Sequence, residues 1–190
     1  MINRRTFVGL GAGAALGSLD LCAALTPGKP AKELVIALNS GEQLLLSKYK
    51  GKVVVLEFLL TNCPHCQRCS STMQKLYTEM GGAFQPLGTA INPQDMSQAR
   101  AVIPQYIYSL GLKFPVGWTK AEMAYQWLEA DTSKGSVYFP QVVILDKRGF
   151  IHKYHPGTDQ SFFDNEETNL RNTITALLKD GSTGAGKQGA

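Results

Sequence analysis

The chain predicts an α/β domain, a central mixed β-sheet flanked by helices. Val53-Val54-Val55-Leu56-Glu57-Phe58 is an apolar, β-branched run that reads as a buried strand. A helical stripe follows it, in which Cys66, Cys69, Met73, Leu76, Tyr77 and Met80 recur at three- and four-residue steps. Strand-like and helix-like runs then alternate towards the C-terminus, and 190 residues suit one domain with a sizeable core.

From the N-terminus, residues 1–24 read as an export signal rather than part of the fold. Arg4-Arg5-Thr6-Phe7 precedes a mild Gly/Ala-rich apolar run from Val8 to Leu19, and Cys22-Ala23-Ala24 offers small residues for cleavage. The pattern resembles a twin-arginine signal, with Asn3 and Asp20 as departures from it. It implies a periplasmic or cell-envelope location, with membrane association only through an uncleaved signal. Cleavage would remove Cys22 and leave three cysteines in an oxidising compartment: one pair and one leftover thiol. The net charge of +4 is modest and the Lys and Arg are scattered, so nucleic acid is not an expected partner.

Residues 25–33, with Pro27-Gly28 and Pro30, read as a linker, and 34–180 as the folded domain. Leu34–Leu38 and Leu44–Leu46 read as short strands around a Ser40-Gly41 turn, and Gly81-Gly82 ends the helix that begins near Cys63. Phe84–Ile91 is an expected strand. Asp95–Gly111 reads as two short helices or one kinked at Pro104, Leu112–Val116 as a short strand, and Ala121–Leu128 as a short helix. Ser136–Asp146 is an apolar strand interrupted near its start by Pro140. Asp146-Lys147-Arg148-Gly149 is a hairpin turn leading to a strand over Phe150–Tyr154. A last helix buries Leu170, Ile174, Leu177 and Leu178 behind an N-cap expected at Asp164. The Gly/Ser/Ala-rich residues 181–190 read as a disordered tail.

Cys63-Pro64-His65-Cys66 carries the chemistry. Cys63 falls where a strand gives way to a helix, and the free N–H groups of a helical first turn favour a negative sulfur. Cys63 is therefore the expected nucleophile. Cys66, one turn on, is placed to attack the mixed disulfide and release the substrate, closing a Cys63–Cys66 disulfide. Pro64 suits the first helical position, and His65 offers a positive charge beside the sulfur. Cys69 continues the buried stripe as a small hydrophobe, or acts as a third thiol. His152 and His155 read as surface residues.

Gly41, Leu44–Leu46, Lys50-Gly51-Lys52-Val53-Val54-Val55, Phe58 and Cys63-Pro64-His65-Cys66 together resemble the thioredoxin fold. The resemblance is closest to the TlpA/ResA-like thiol–disulfide oxidoreductases of the redoxin group, and it spans Leu34 to Leu178. It implies an N-terminal β extension, a helical insertion before the proline-led strand, and no cofactor. Implied too are protein thiol or disulfide substrates, a redox partner and action as a reductant. By position in the family, Glu57 is a buried carboxyl that exchanges its proton with the second cysteine. Pro140 is a cis-proline facing the motif, and Phe139 offers backbone to a docked substrate strand; Pro64 and His65 would lie at the same substrate-contacting surface. Asn62 and Cys69 depart from the pattern, which usually has Trp and an acidic residue there.

Two other functions suit the same fold. A copper-binding chaperone would draw on Cys63, Cys66 and Cys69 as soft ligands. A peroxiredoxin-like peroxidase would use Thr61 before Cys63, although the Pro-X-X-X-Thr-X-X-Cys pattern is absent.

Overall fold

The computed structural model describes residues 25–180. The expected export signal and C-terminal tail lie outside the described residues. One seven-stranded sheet forms the centre, in the order β2-β1-β5-β4-β3-β6-β7. Its strands are β1 (Val35–Ala37), β2 (Gln43–Leu45), β3 (Val54–Leu59), β4 (Gln85–Ala90), β5 (Val116–Trp118), β6 (Gln141–Leu145) and β7 (Ile151–His155). Strands β3, β4 and β5 run parallel, and β6, β7 and the β1–β2 hairpin pair antiparallel, so the sheet is mixed. Five α-helices accompany it among the described residues: α1 (Pro64–Glu79), α2 (Met96–Leu110), α3 (Ala121–Trp127), α4 (Gln160–Phe163) and α5 (Glu166–Lys179).

All six residues of β3 are buried, as the unbroken apolar run requires of a strand covered on both faces. Alternation divides them. Val55 and Leu59 join the core that holds Cys66, Cys69, Met73, Ile103, Leu170 and Ile174, under α1, α2 and α5. Val54, Leu56 and Phe58 join the opposite core with Trp127 and Leu128, where Phe58 and Trp127 meet at a ring separation of 5.3 Å. Glu57 shares the parity of Val55 and Leu59, so its carboxyl faces α1.

Several boundaries differ from the sequence expectation for identifiable reasons. The short strand expected at Leu112–Val116 begins at Val116, because Pro115 has no N–H to give a ladder; its carbonyl accepts from Gly88 at 3.0 Å instead. Likewise β6 starts only after Pro140. Asp95–Gly111 forms one helix that contains Pro104, capped by the Asp95 carboxylate and stopped by Gly111 at φ 61°. The last helix is preceded by the unforeseen α4, whose N-terminus is capped by Asp159. Asp164 closes α4, and Asn165, not Asp164, is the N-cap residue of α5.

The expected linker is also attached to the fold. Gly28 N–H donates to Ile151 O at 2.7 Å, Ile151 N–H to Lys29 O at 2.8 Å and Ala31 N–H to Gly149 O at 2.9 Å, and Leu25 is buried. An edge strand such as β7 presents unpaired backbone groups, and this segment satisfies those of Ile151 at its start.

Candidate active site

Strand β3 ends at Leu59, and the chain turns through Leu60–Asn62 into α1. Asn92, just beyond β4, pins this turn: Thr61 N–H donates to Asn92 Oδ1 and Asn92 Nδ2 donates to Thr61 Oγ1, each at 3.0 Å. Gln67 Nε2 donates back to Thr61 O at 3.2 Å. Cys63 is the N-cap of α1, and its sulfur accepts the Cys66 N–H at 3.3 Å. Pro64 occupies the first turn, where its missing N–H leaves no bond unmade.

The antiparallel register of β3 and β6 brings the second half of the site here. Phe58 pairs with Gln141, so the residues before Gln141 arrive beside the C-terminal end of β3. The Phe139–Pro140 peptide is cis, and Phe139 O lies 3.9 Å from Cys63 Sγ. Gln141 secures this loop by donating to Tyr138 O while accepting from the Tyr154 hydroxyl. Gly157 backs it: a Cβ there would stand 2.4 Å from Tyr138 O and 2.8 Å from Phe139 N, so only glycine lets the two loops approach this closely.

Cys63 is half-exposed and Cys66 and Cys69 are buried; all three are free thiols. Burial first, and then the neighbouring Glu57, push the Cys66 thiol far above its ordinary range. The Cys69 thiol is driven up by the same two causes.

Glu57 lies fully buried behind Cys66. Ser70 Oγ donates to Glu57 Oε2 at 2.5 Å and meets Tyr106 Oη at 2.8 Å; Tyr106 Oη also lies 3.3 Å from Cys66 O. Each hydroxyl has one proton. With Ser70 donating to the carboxylate, the single Tyr106 proton is shared between Ser70 Oγ and the Cys66 carbonyl, so Tyr106, Ser70 and Glu57 form one polar chain. Burial raises the proton affinity of Glu57 well above that of an ordinary carboxylate, the Ser70 hydrogen bond opposes the rise, and Glu166 and Cys63 add to it.

His65 sits differently from expectation. Its ring packs edge-on against Phe163 at 4.5 Å, and burial, then Arg68, hold it below the usual imidazole value. The neutral ring is therefore favoured beside the motif at neutral pH. His155 is tied to Asp159 at 2.8 Å and stacked on Phe162 at 3.7 Å, so it belongs to the packing of α4 rather than to the surface. Among the described residues, no three His, Cys, Asp or Glu side chains converge as metal ligands.

Ser70, Tyr106, Asn92 and Gly157 are not legible as site residues in the sequence. Ser70 and Tyr106 do fall on buried helical stripes, at 66-69-70-73 and 99-103-106, and a polar residue on such a stripe is a signal to follow.

A Cys-X-X-Cys pair at a helix N-terminus, faced by a cis-proline loop and backed by a buried carboxyl, is the arrangement of a thioredoxin-fold redox protein. The chain belongs to the AhpC/TSA family, whose profile matches residues 27–154. Its relatives place it among the TlpA/ResA-like redoxins, as a thiol–disulfide oxidoreductase. It is 28% identical over 130 residues to the thiol-disulfide oxidoreductase ResA of Halalkalibacterium halodurans, covering 68% of each chain. Over 131 residues it is 28% identical to the thioredoxin-like protein YneN of Bacillus subtilis, covering 69% of this chain and 72% of that one. In fold it is similar to a thioredoxin-family thiol:disulfide interchange protein of Chlorobium tepidum. The TM-score there is 0.63 at 19% identity, over 80% of this chain and 97% of that one. The thioredoxin domain of a Bacteroides vulgatus thiol-disulfide oxidoreductase gives 0.62 at 19%, over 82% and 99%.

Proposed function

We propose that the protein is an exported reductant of protein disulfides, working through Cys63 and Cys66. The supporting observation is the position of Cys63 Sγ, half-exposed at the N-cap of α1 and 3.9 Å from Phe139 O on the facing loop. Cys63 thiolate attacks one sulfur of a substrate disulfide, forming a Cys63–substrate bond and expelling the other substrate sulfur as a thiolate. Cys66 then loses its proton to ionised Glu57 and attacks Cys63 Sγ. The Cys63–Cys66 bond forms, the substrate leaves with both sulfurs reduced, and two electrons have passed from the protein. Phe139 and Pro140 dock the substrate strand, with Pro64 and His65 at the rim of the same surface. A redox partner must afterwards return the two electrons. Residues 1–24, with Arg4-Arg5, direct export to the periplasm or cell envelope.

The direction follows from charge. Strong oxidants of this fold are oxidising because the reduced form is stabilised. Here the neutral His65 supplies no cation to do this, and Cys66 is held against a buried carboxyl. Equilibration with glutathione or dithiothreitol should give a Cys63–Cys66 potential near the thioredoxin value of about −270 mV. A value near about −120 mV would make the protein an oxidant.

The peroxidase and copper readings find less support. The Thr61 hydroxyl is engaged by Asn92, and Cys63, Cys66 and Cys69 do not converge as a metal-ligand group among the described residues.

A further inference from the structure

The buried surface behind the cysteines contains a second carboxyl. Glu166 is the first residue of α5, where a glutamate reads from sequence as a solvated first-turn acid. Instead it begins the buried stripe Glu166, Leu170, Thr173, Ile174 and Leu177, and only 6% of it is exposed. Both of its carboxyl oxygens are buried without a hydrogen bond of ordinary geometry among the described residues, as is Glu57 Oε1, and the polar side chains that reach Glu166 are only the weak donors Thr72 and Cys69. The Cys69 side chain lies beside both carboxyls and interacts with each. An apolar side chain on this stripe would avoid the desolvation of a weakly partnered carboxyl, so Glu166 calls for a role other than packing.

We infer that Glu166 is a positioning residue of the redox centre: it faces Glu57 across Cys69, so that the two buried carboxyls act as one coupled proton acceptor for Cys66. The inference rests on the role proposed above for Glu57.

Two like charges brought together in a dry core repel, so the first proton is held tightly and the second weakly. Burial and the neighbouring Glu166 raise the proton affinity of Glu57, and burial raises that of Glu166 itself. From α5 it is Glu166 that acts on Glu57. From α1, Arg68 favours the Glu166 anion, Thr72 reaches the same carboxyl, and Ser70 donates to Glu57. The thiols Cys63 and Cys66 and, from α2, the Tyr106 hydroxyl are the other titratable groups that face Glu57. The consequence is a stronger base than an isolated exposed carboxylate. When Cys66 attacks the mixed disulfide, its proton moves to the ionised pair, whose charge falls from two negatives to one.

The test uses the aromatic disulfide 5,5′-dithiobis(2-nitrobenzoate) on the reduced protein. One thionitrobenzoate leaves when Cys63 attacks. A second leaves when Cys66 closes the Cys63–Cys66 bond, so the second phase of release reports the resolving step. Its rate should rise with pH along a limb set by Glu57. Glu166→Gln should move that limb to lower pH by roughly one unit, about tenfold in rate on the slope. An unmoved limb in Glu166→Gln, with the limb lost in Glu57→Gln, overturns this inference and leaves the proposed role of Glu57 intact. A limb that survives Glu57→Gln removes that role instead. A titration of the native protein followed by the carboxyl carbon resonances is independent of any variant. Glu57 and Glu166 should each show both steps of a shared curve, and two separate single-step curves overturn the pairing.

Discussion

Ser70 Oγ donates to Glu57 Oε2 at 2.5 Å, while Oε1 of the same carboxyl has no hydrogen-bond partner among the described residues. A carboxyl buried in the sheet core thus depends on one hydroxyl for its strong hydrogen bond. Ser70→Ala should remove that bond, costing about 1–3 kcal/mol in a urea unfolding experiment. Since that hydrogen bond opposes the rise in the proton affinity of Glu57, the variant should also ionise Glu57 at higher pH. A carboxyl titration unchanged from the native protein would contradict this.

The burial of Glu57 makes stability depend on pH with a definite sign. Its proton affinity is raised in the folded state above the ordinary 4.5. Below that pH both folded and unfolded states carry the proton and nothing is lost. Above it the unfolded chain releases the proton while the folded one holds it, so stability falls until the folded group itself ionises. Glu57→Gln should flatten this decline. Relative to the native protein, the variant should gain stability between pH 4 and pH 8, by about 1.4 kcal/mol for each unit separating the folded and unfolded values. Denaturant midpoints across that range provide the check.

Cys63 and Cys66 should separate chemically. Cys66→Ser should accumulate substrates bound to Cys63, whereas Cys63→Ser should accumulate none. Iodoacetamide at neutral pH should label half-exposed Cys63 first, while buried Cys69 reacts only after unfolding. Preferential labelling of Cys66, read by peptide mass mapping, would reverse the proposed order of attack.

Gly157 has no chemistry of its own, yet a Cβ there would meet Tyr138 O at 2.4 Å. Gly157→Ala should push the Phe139–Pro140 loop away from Cys63. Disulfide exchange with a protein substrate should slow by more than tenfold if the shift costs about 1.4 kcal/mol of docking. Alkylation of Cys63 by a small reagent should change little. Equal slowing of both reactions would point to general unfolding instead.

Arg4 and Arg5 carry the export proposal. Replacing both with lysine keeps the charge and removes the paired guanidinium signature, so the protein should remain in the cytoplasm by cell fractionation. Export at the native level would remove the twin-arginine assignment.

Local pattern was sufficient for the helix stripe from Cys66 to Leu76, the two-faced burial of β3, the Asp146–Gly149 hairpin and the turn glycines. Each is a matter of period, side-chain shape or allowed φ. The Cys63-Pro64-His65-Cys66 motif was legible for the same reason: strand end, first-turn proline and one-turn spacing are all local. Family resemblance, rather than pattern, supplied Pro140 as the facing cis-proline.

Tertiary structure decided where side chains from distant segments meet. The antiparallel register of β3 with β6 sets Phe139 against Cys63. The parity of β3 aims Glu57 at α1, and α2 contributes Tyr106 to the hydroxyl chain beneath it. Packing of α5 on α1 buries Glu166, a first-turn acid that local pattern does not mark, and burial, then Arg68, hold His65 below the usual imidazole value where local pattern offered a positive charge. A sequence fixes the charge a side chain carries in water. Its charge in the folded protein depends on how much water is excluded and which groups replace it, and those are properties of the assembled layers.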